Sequence, residues 1–260
     1  MKKTVTLLLI VFLAVTAMSC GKREPGGSET GLPDPGPVPE RPATDPSSRP
    51  AETEAEAVPV IRFLFPDRYP IAFMINNVAA ARPQSGLSKA KLIYQMMTEA
   101  RTTRLLLLTD ADEGVIGPVR SARPAYLDLV AQHQAFYCYA GNYRVIEASP
   151  LVDEIRILDA LKGDYSIFNR TDHRVVPHNL YTSLEKCYSR AEKKYGSILP
   201  VEPVKGLHVR DHFARPGIGE RVTELHYHYT SLQESFKYDA DKKVYHKFNN
   251  GEVLVDEATG

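Results

Sequence analysis

Between residues 71 and 140 the hydrophobic pattern consists of short, unbroken apolar runs. Ile71-Ala72-Phe73-Met74-Ile75, Arg104 to Thr109 and Ala135-Phe136-Tyr137-Cys138-Tyr139-Ala140 do not alternate and are too short for helices. That combination predicts strands covered on both faces. Lys91 to Met97 adds a strand, and Asp110-Ala111-Asp112-Glu113-Gly114 is an acidic turn, since it lacks the spacing and the terminal Glu of a calcium loop. Pro124 suits the first position of a helix whose stripe is Tyr126, Leu127 and Val130. A second helix is expected from Ser149-Pro150, with Leu151, Ile155, Leu158 and Leu161 in register and Gly163 past its end. Thr182-x-x-Glu185 is a capping box for a third, with stripe Leu184, Cys187, Tyr188, Ala191 and Tyr195 and stop Gly196. Before it, Ser166 to Ser183 is expected to be a long polar loop.

After Val222 the period changes. Leu225-His226-Tyr227-His228-Tyr229 alternates, and Lys243 to Phe248, Asn249-Asn250-Gly251 and Glu252 to Asp256 form a hairpin pattern. The fold class is therefore α/β: a mixed sheet flanked by helices over residues 60–215, followed by the start of a smaller β-rich module over 216–260. The module is expected to be truncated.

The first residues differ in kind. Lys2 and Lys3 precede a run from Val5 to Val15 that is apolar except for Thr6, the polarity of a secretory leader over residues 1–19. It ends in Ala17-Met18-Ser19-Cys20-Gly21, which resembles the lipobox of bacterial lipoproteins, with Ala17 where a leucine is usual. The likeness implies an acylated Cys20. Residues 21–59 hold nine of the nineteen prolines and almost nothing apolar, so residues 20–59 are expected to be a lipidated, disordered tether. Export permits a disulfide, yet Cys138 in a core strand and Cys187 on an inner helix face are expected to be separately buried free thiols.

Charge then limits the partners. Lysine plus arginine equals aspartate plus glutamate at 32 each, which argues against nonspecific nucleic-acid binding. The candidate chemistry lies in Gly117-Pro118-Val119-Arg120-Ser121-Ala122-Arg123-Pro124. Two guanidinium forks beside a helix start, with its unpaired N–H groups, read as an anion cradle at a strand-to-helix crossover. The competing reading pairs both arginines with acids of the same fold, Asp128 or Glu99.

The blocks Met74-Ile75-Asn76-Asn77, Ala81-Arg82-Pro83-Gln84-Ser85-Gly86-Leu87-Ser88, Thr103-Arg104, Ile116 to Pro124, and Pro177-His178-Asn179-Leu180-Tyr181-Thr182-Ser183 belong together. Jointly they resemble the YerB-like family of bacterial lipoproteins, whose N- and C-terminal domains are classed as of unknown function. Asn142 stands where the family has a second glycine after Gly141, Ala100-Arg101 replaces a glycine pair, and Lys91 replaces an acid. The resemblance implies location and fold and carries no settled activity.

Three functional readings follow. The first is a membrane-anchored module outside the cytoplasm that binds an anionic cell-envelope molecule. Arg82, Arg104, Arg120, Arg123, Arg170 and Arg174 would supply charge; Asn76, Asn77, Ser121, His178, Asn179 and Tyr181 would orient the ligand. The second is an enzyme on lipid-linked or phosphorylated envelope polymers, with His178 as acid or base, Glu99 or Asp128 as its partner, and Arg120 and Arg123 as the clamp. No nucleophile-elbow, zincin or Walker signature supports it. The third is a structural lipoprotein whose arginines each pair with a local carboxylate. No cofactor is implied, and the spacings His208/His212 and His226/His228 suit wet strands as well as a metal.

Overall fold

The computed structural model describes residues 61–202, 204, 207–210, 222–229 and 232–260, all within the compact unit Glu56–Gly260. The leader, Cys20, the tether, His212 and the expected module boundary at residue 216 lie outside the described residues.

Strand β1 (Ile61–Phe63) leads into the central strands β2 (Ile71–Asn76), β3 (Leu92–Met97) and β4 (Thr103–Thr109). Then come β5 (Val115–Ile116), helix α1 (Leu127–Gln132), β6 (Phe136–Tyr139), helix α2 (Arg144–Glu147) and β7 (Arg156–Asp159). The five-stranded sheet has the order β3-β4-β2-β6-β7. β4 runs antiparallel to β2 and β3, while β2, β6 and β7 are parallel. The sheet is mixed, with helices and a smaller sheet against it.

The unbroken apolar runs have a simple cause: each strand feeds two cores. Met74, Leu106, Leu108, Tyr137 and Tyr139 pack on one face with Tyr126, Leu127 and Val130. Phe73, Ile75, Leu105, Leu107, Phe136 and Cys138 pack on the other with Leu184, Cys187, Tyr188 and Ala191. Strands of this kind need no polar alternation, and each fully buried Leu, Ile or Phe contributes about 1.5–3 kcal/mol before the chain-ordering cost.

The second face is closed by β8 (Phe168–Arg170), β9 (Leu180–Ser183) and α3 (Leu184–Tyr195), with β5-β9-β8 forming a three-stranded sheet. Strand β10 (His208–Arg210) pairs with β1. The strands β11 (Glu224–Tyr229), β12 (Leu232–Asp239), β13 (Val244–Asn249) and β14 (Glu252–Val253) make an antiparallel sheet in that order. The turn Asn250-Gly251 has φ of 50° and 86°, the left-handed pair that an Asn-Gly hairpin needs. The closing segment returns to the α/β part, where Asp256 bridges Gln84 in parallel and the Glu257 N–H donates to the Gln84 carbonyl at 2.8 Å.

Four sequence expectations change. The helix expected from Ser149 to Leu161 is the strand β7, preceded by the one-turn α2. Leu158 is buried, but Leu161, the supposed end of the stripe, is 77% exposed. The period-two signal is hidden because Arg156 occupies an apolar position, stacking over the Tyr69 and Phe136 rings at 3.9 and 4.2 Å. The loop from Ser166 to Ser183 contains the β8-β9 pair, which leaves residues 171–179 irregular. The cap of α3 is Ser183, whose hydroxyl accepts from the Lys186 N–H; Thr182 sits in β9 and donates to the Ile167 carbonyl at 2.8 Å. The thiols of Cys138 and Cys187 are free and buried, but 3.8 Å apart rather than separate.

Candidate functional site

The parallel strands β2, β6 and β7 end on one edge of the sheet, at Asn76, Tyr139 and Asp159, and β4 begins there because Asn76 pairs with Arg104. The segment 118–122 is stitched into that edge. Asn76 N–H donates to the Pro118 carbonyl (3.0 Å), Arg120 N–H to Met74 (2.8 Å), Ala140 N–H to Arg120 (2.9 Å) and Ala122 N–H to Gly141 (3.0 Å). Val119 and Ala122 are buried, while Arg120, Ser121 and Arg123 are half-buried on a fixed backbone. Carboxyl ends of parallel strands are where open α/β sheets hold ligands.

Three guanidinium groups meet here. Arg104, only 5% exposed, reaches Glu99 Oε1 at 3.0 Å and also donates to the Ser121 carbonyl. Arg123 forms a forked pair with the two oxygens of Glu99 and donates to the Ala122 carbonyl at 2.7 Å. Arg120 donates to the Pro177 carbonyl at 3.2 Å, while its Nε is buried without a partner among the described residues. Burial, then the charge of Arg123, holds the Arg104 guanidinium down at about 10 despite Glu99. Burial and the charges of Arg123 and Arg170 likewise lower Arg120. Glu99 is drawn down to about 2, chiefly by its hydrogen bond to Arg123. Three cations against one carboxylate leave a formal excess of two positive charges.

The arrangement differs from the helix-start cradle the sequence suggested. The helix after Pro124 is a 3-10 turn, Pro124–Tyr126, followed by six residues of α1, too short to focus a strong dipole. The Ala122 N–H is already used. Side chains, rather than main-chain donors, supply the positive field.

The other candidates divide. His178 Nδ1 accepts from the Asn76 amide at 2.8 Å, which puts the ring proton on Nε2; burial, Arg120 and Arg174 lower its pKa. Its ring therefore meets an amide where the enzymatic reading called for Glu99 or Asp128. Glu99 is engaged by arginines, and Asp128 is exposed on α1 beside an apolar groove with Pro124 and Leu127. Asn77 is buried and donates to Thr103 Oγ1 at 2.8 Å, and Gln84 donates to its side-chain oxygen at 3.1 Å. Arg170 donates to Asn179 Oδ1 at 2.7 Å. Arg174 joins the Tyr181 hydroxyl (2.9 Å) and Glu257 (2.8 Å), which makes all three part of the framework that holds the C-terminal segment. Arg82 donates to the Asn77 carbonyl at 2.8 Å and senses Glu234 and Glu252 instead of the cluster.

The sequence reading missed Tyr137, Tyr139 and Asp159. The two phenol rings are tilted against each other with centroids 4.7 Å apart, and both hydroxyls, with one Asp159 oxygen, are buried without partners among the described residues. Burial first, then the Asp159 charge, raises the Tyr139 phenol far above its usual value. Their signal was the polar tip on alternate residues of a strand that otherwise reads as pure core. The glycine departures also gain a reason. Ala100 and Arg101 have φ of 56°, and Asn142 has φ of 62°, so these positions demand left-handed backbone whatever residue occupies them.

Among the described residues no helix is long and apolar enough to cross a membrane. Residues 65–197 match the family model described as the N-terminal domain of a protein of unknown function (DUF3048). A Bacillus subtilis (strain 168) relative named "Putative lipoprotein YerB" is 30% identical over 197 residues, covering 75% of this chain and 59% of the relative. The crystal structure of YerB protein from Bacillus subtilis superposes with a TM-score of 0.58 at 24% identity, over 73% of this chain and 64% of that one. The chain thus spans less than two thirds of the length of the protein it matches. The blocks at 74–77, 81–88, 103–104, 116–124 and 177–183 all fall within the matched region, and the mixed α/β sheet agrees with the fold of the solved structure. With its family model matching half of its length, the chain belongs to the DUF3048 family of proteins of unknown function.

Proposed function

We propose that this protein is a lipid-anchored, extracytoplasmic lipoprotein that binds an anionic cell-envelope molecule at the Arg104–Arg120–Arg123 edge of its central sheet. The observation that carries the reading is the uncompensated charge: of three neighbouring guanidinium groups, Arg104 and Arg123 share the single carboxylate of Glu99, and Arg120 has no carboxylate partner among the described residues. Burying like charges together costs free energy, and a fold that tolerates the cost gains from a multivalent anion. The lipobox-like Cys20, the proline-rich tether and the name of the Bacillus subtilis relative support the anchor. Residues 216–260 would form a separate β-rich module.

Titration of the full chain with inorganic pyrophosphate tests the binding claim. Saturable binding that weakens with salt, and falls about tenfold or more in a folded Arg120→Gln variant, is expected. Absence of saturation, or equal affinity in the variant, would overturn it. Replacing Cys20 by Ser should release the protein from membranes, and continued retention would remove the anchor.

A further inference from the structure

Away from the arginine cluster, a cavity of about 150 Å³ lies where the segment Ala79–Pro83 faces the β13-β14 hairpin. Three of its lining residues carry unlike chemistry. Arg82 presents a guanidinium whose Nε is buried without a partner among the described residues. Asn249 is 1% exposed, and both its amide nitrogen and its amide oxygen are likewise unpartnered. Glu252 brings an exposed carboxylate close enough for Arg82 to sense its charge. Val253 and Leu254 add apolar wall.

A buried carboxamide with neither half satisfied costs roughly 1–3 kcal/mol per group, so its retention beside a cavity calls for an occupant. The turn does not need it, because the hairpin is set by Asn250 and Gly251. Arg82, Asn249 and Glu252 line one small space, the arginine and the glutamate with opposite charges and the asparagine with an unpartnered carboxamide. At ~30 Å³ for each water-sized group the cavity holds about five such groups. We infer that this cavity binds a small zwitterion, a free α-amino acid of the size of glycine or alanine. Its carboxylate would lie against Arg82 and the Asn249 amide nitrogen, and its ammonium against Glu252 and the Asn249 oxygen. A simple anion would leave the acceptors unmatched, and a simple amine would leave the donors unmatched.

The test is calorimetric titration of the full chain with glycine and alanine, using acetate and methylammonium as single-charge controls. Glycine or alanine should bind at least about tenfold tighter than either control, and Glu252→Gln, on an exposed strand, should lose about tenfold without a change in unfolding temperature. Arg82→Gln should lose affinity likewise. The inference fails if neither amino acid saturates, if acetate binds as well as alanine, or if Glu252→Gln binds alanine like the parent. Because Glu252 and Arg82 stand apart from Arg120, pyrophosphate binding should be unchanged in Glu252→Gln.

Discussion

Glu99 occupies the arginine cluster as a built-in anion, and its removal should sharpen the cluster for an external one. In Glu99→Gln the side chain keeps its shape and loses one negative charge that touches Arg104 and Arg123. The carboxylate is 54% exposed, so a water-like dielectric applies, and a unit charge about 4 Å away is worth ~1 kcal/mol. That corresponds to about fivefold in dissociation constant per unit charge on the ligand. Inorganic pyrophosphate should therefore bind the variant at least about fivefold more tightly in dilute buffer, and the advantage should shrink in high salt. Calorimetry on both proteins, with thermal unfolding as a check on folding, reads the effect. Unchanged or weaker binding by Glu99→Gln would refute the idea that the carboxylate and the ligand compete for the same guanidinium groups.

Further outcomes follow from the same geometry. The Glu99 carboxyl falls from 4.5 to about 2 on folding, mainly through its hydrogen bond to Arg123, so its stabilisation is complete above about pH 4.5 and is lost as pH drops towards 2. Screening at a half-exposed site holds this to ~1 kcal/mol or less, and acid unfolding of Glu99→Gln should lack that component. Gly117→Ala would set a Cβ 2.5 Å from the buried Tyr181 ring, which Arg174 fixes at 2.9 Å, so a loss of about 1–3 kcal/mol in denaturant unfolding is expected. Stability equal to the parent would show that the ring moves freely. Ala100→Gly relieves a left-handed alanine on the exposed turn, and a gain of about 0.5–1 kcal/mol in the same assay is expected; a loss would mean the turn relaxes without strain.

The legible part of the fold was the part where one physical rule dominates. Doubly buried strands announced themselves because Ile71–Ile75 and Leu105–Leu108 carry no polar residue at all. Helix α3 was readable from its stripe and from Gly196, whose φ of 88° ends it. β7 was not, because its inward positions 156 and 158 are an arginine and a leucine, and the flanking leucines mimic a helical repeat. Strand β12 went unnoticed because Glu234 interrupts its alternation, standing on the face of Leu232, Phe236 and Tyr238. Glu234 is buried and held at 2.5 Å by Lys247, a pairing between strands that local pattern cannot reveal.

The candidate site was half visible. Arg120 and Arg123 stand out beside a proline, but local sequence cannot tell that Arg104 arrives from β4 to join them or that Arg82 and Arg174 turn away. Those assignments depend on the pairing of Asn76 with Arg104 and on Glu257 returning from the far end of the chain.

The central claim is tested most directly by a crystal of the full chain soaked in inorganic pyrophosphate. The account predicts an anion within hydrogen-bond distance of the Arg120 and Arg123 guanidinium groups, with Glu99 displaced from at least one of its partners. An empty site with Glu99 still forked onto Arg123, or an anion bound only elsewhere, would contradict it.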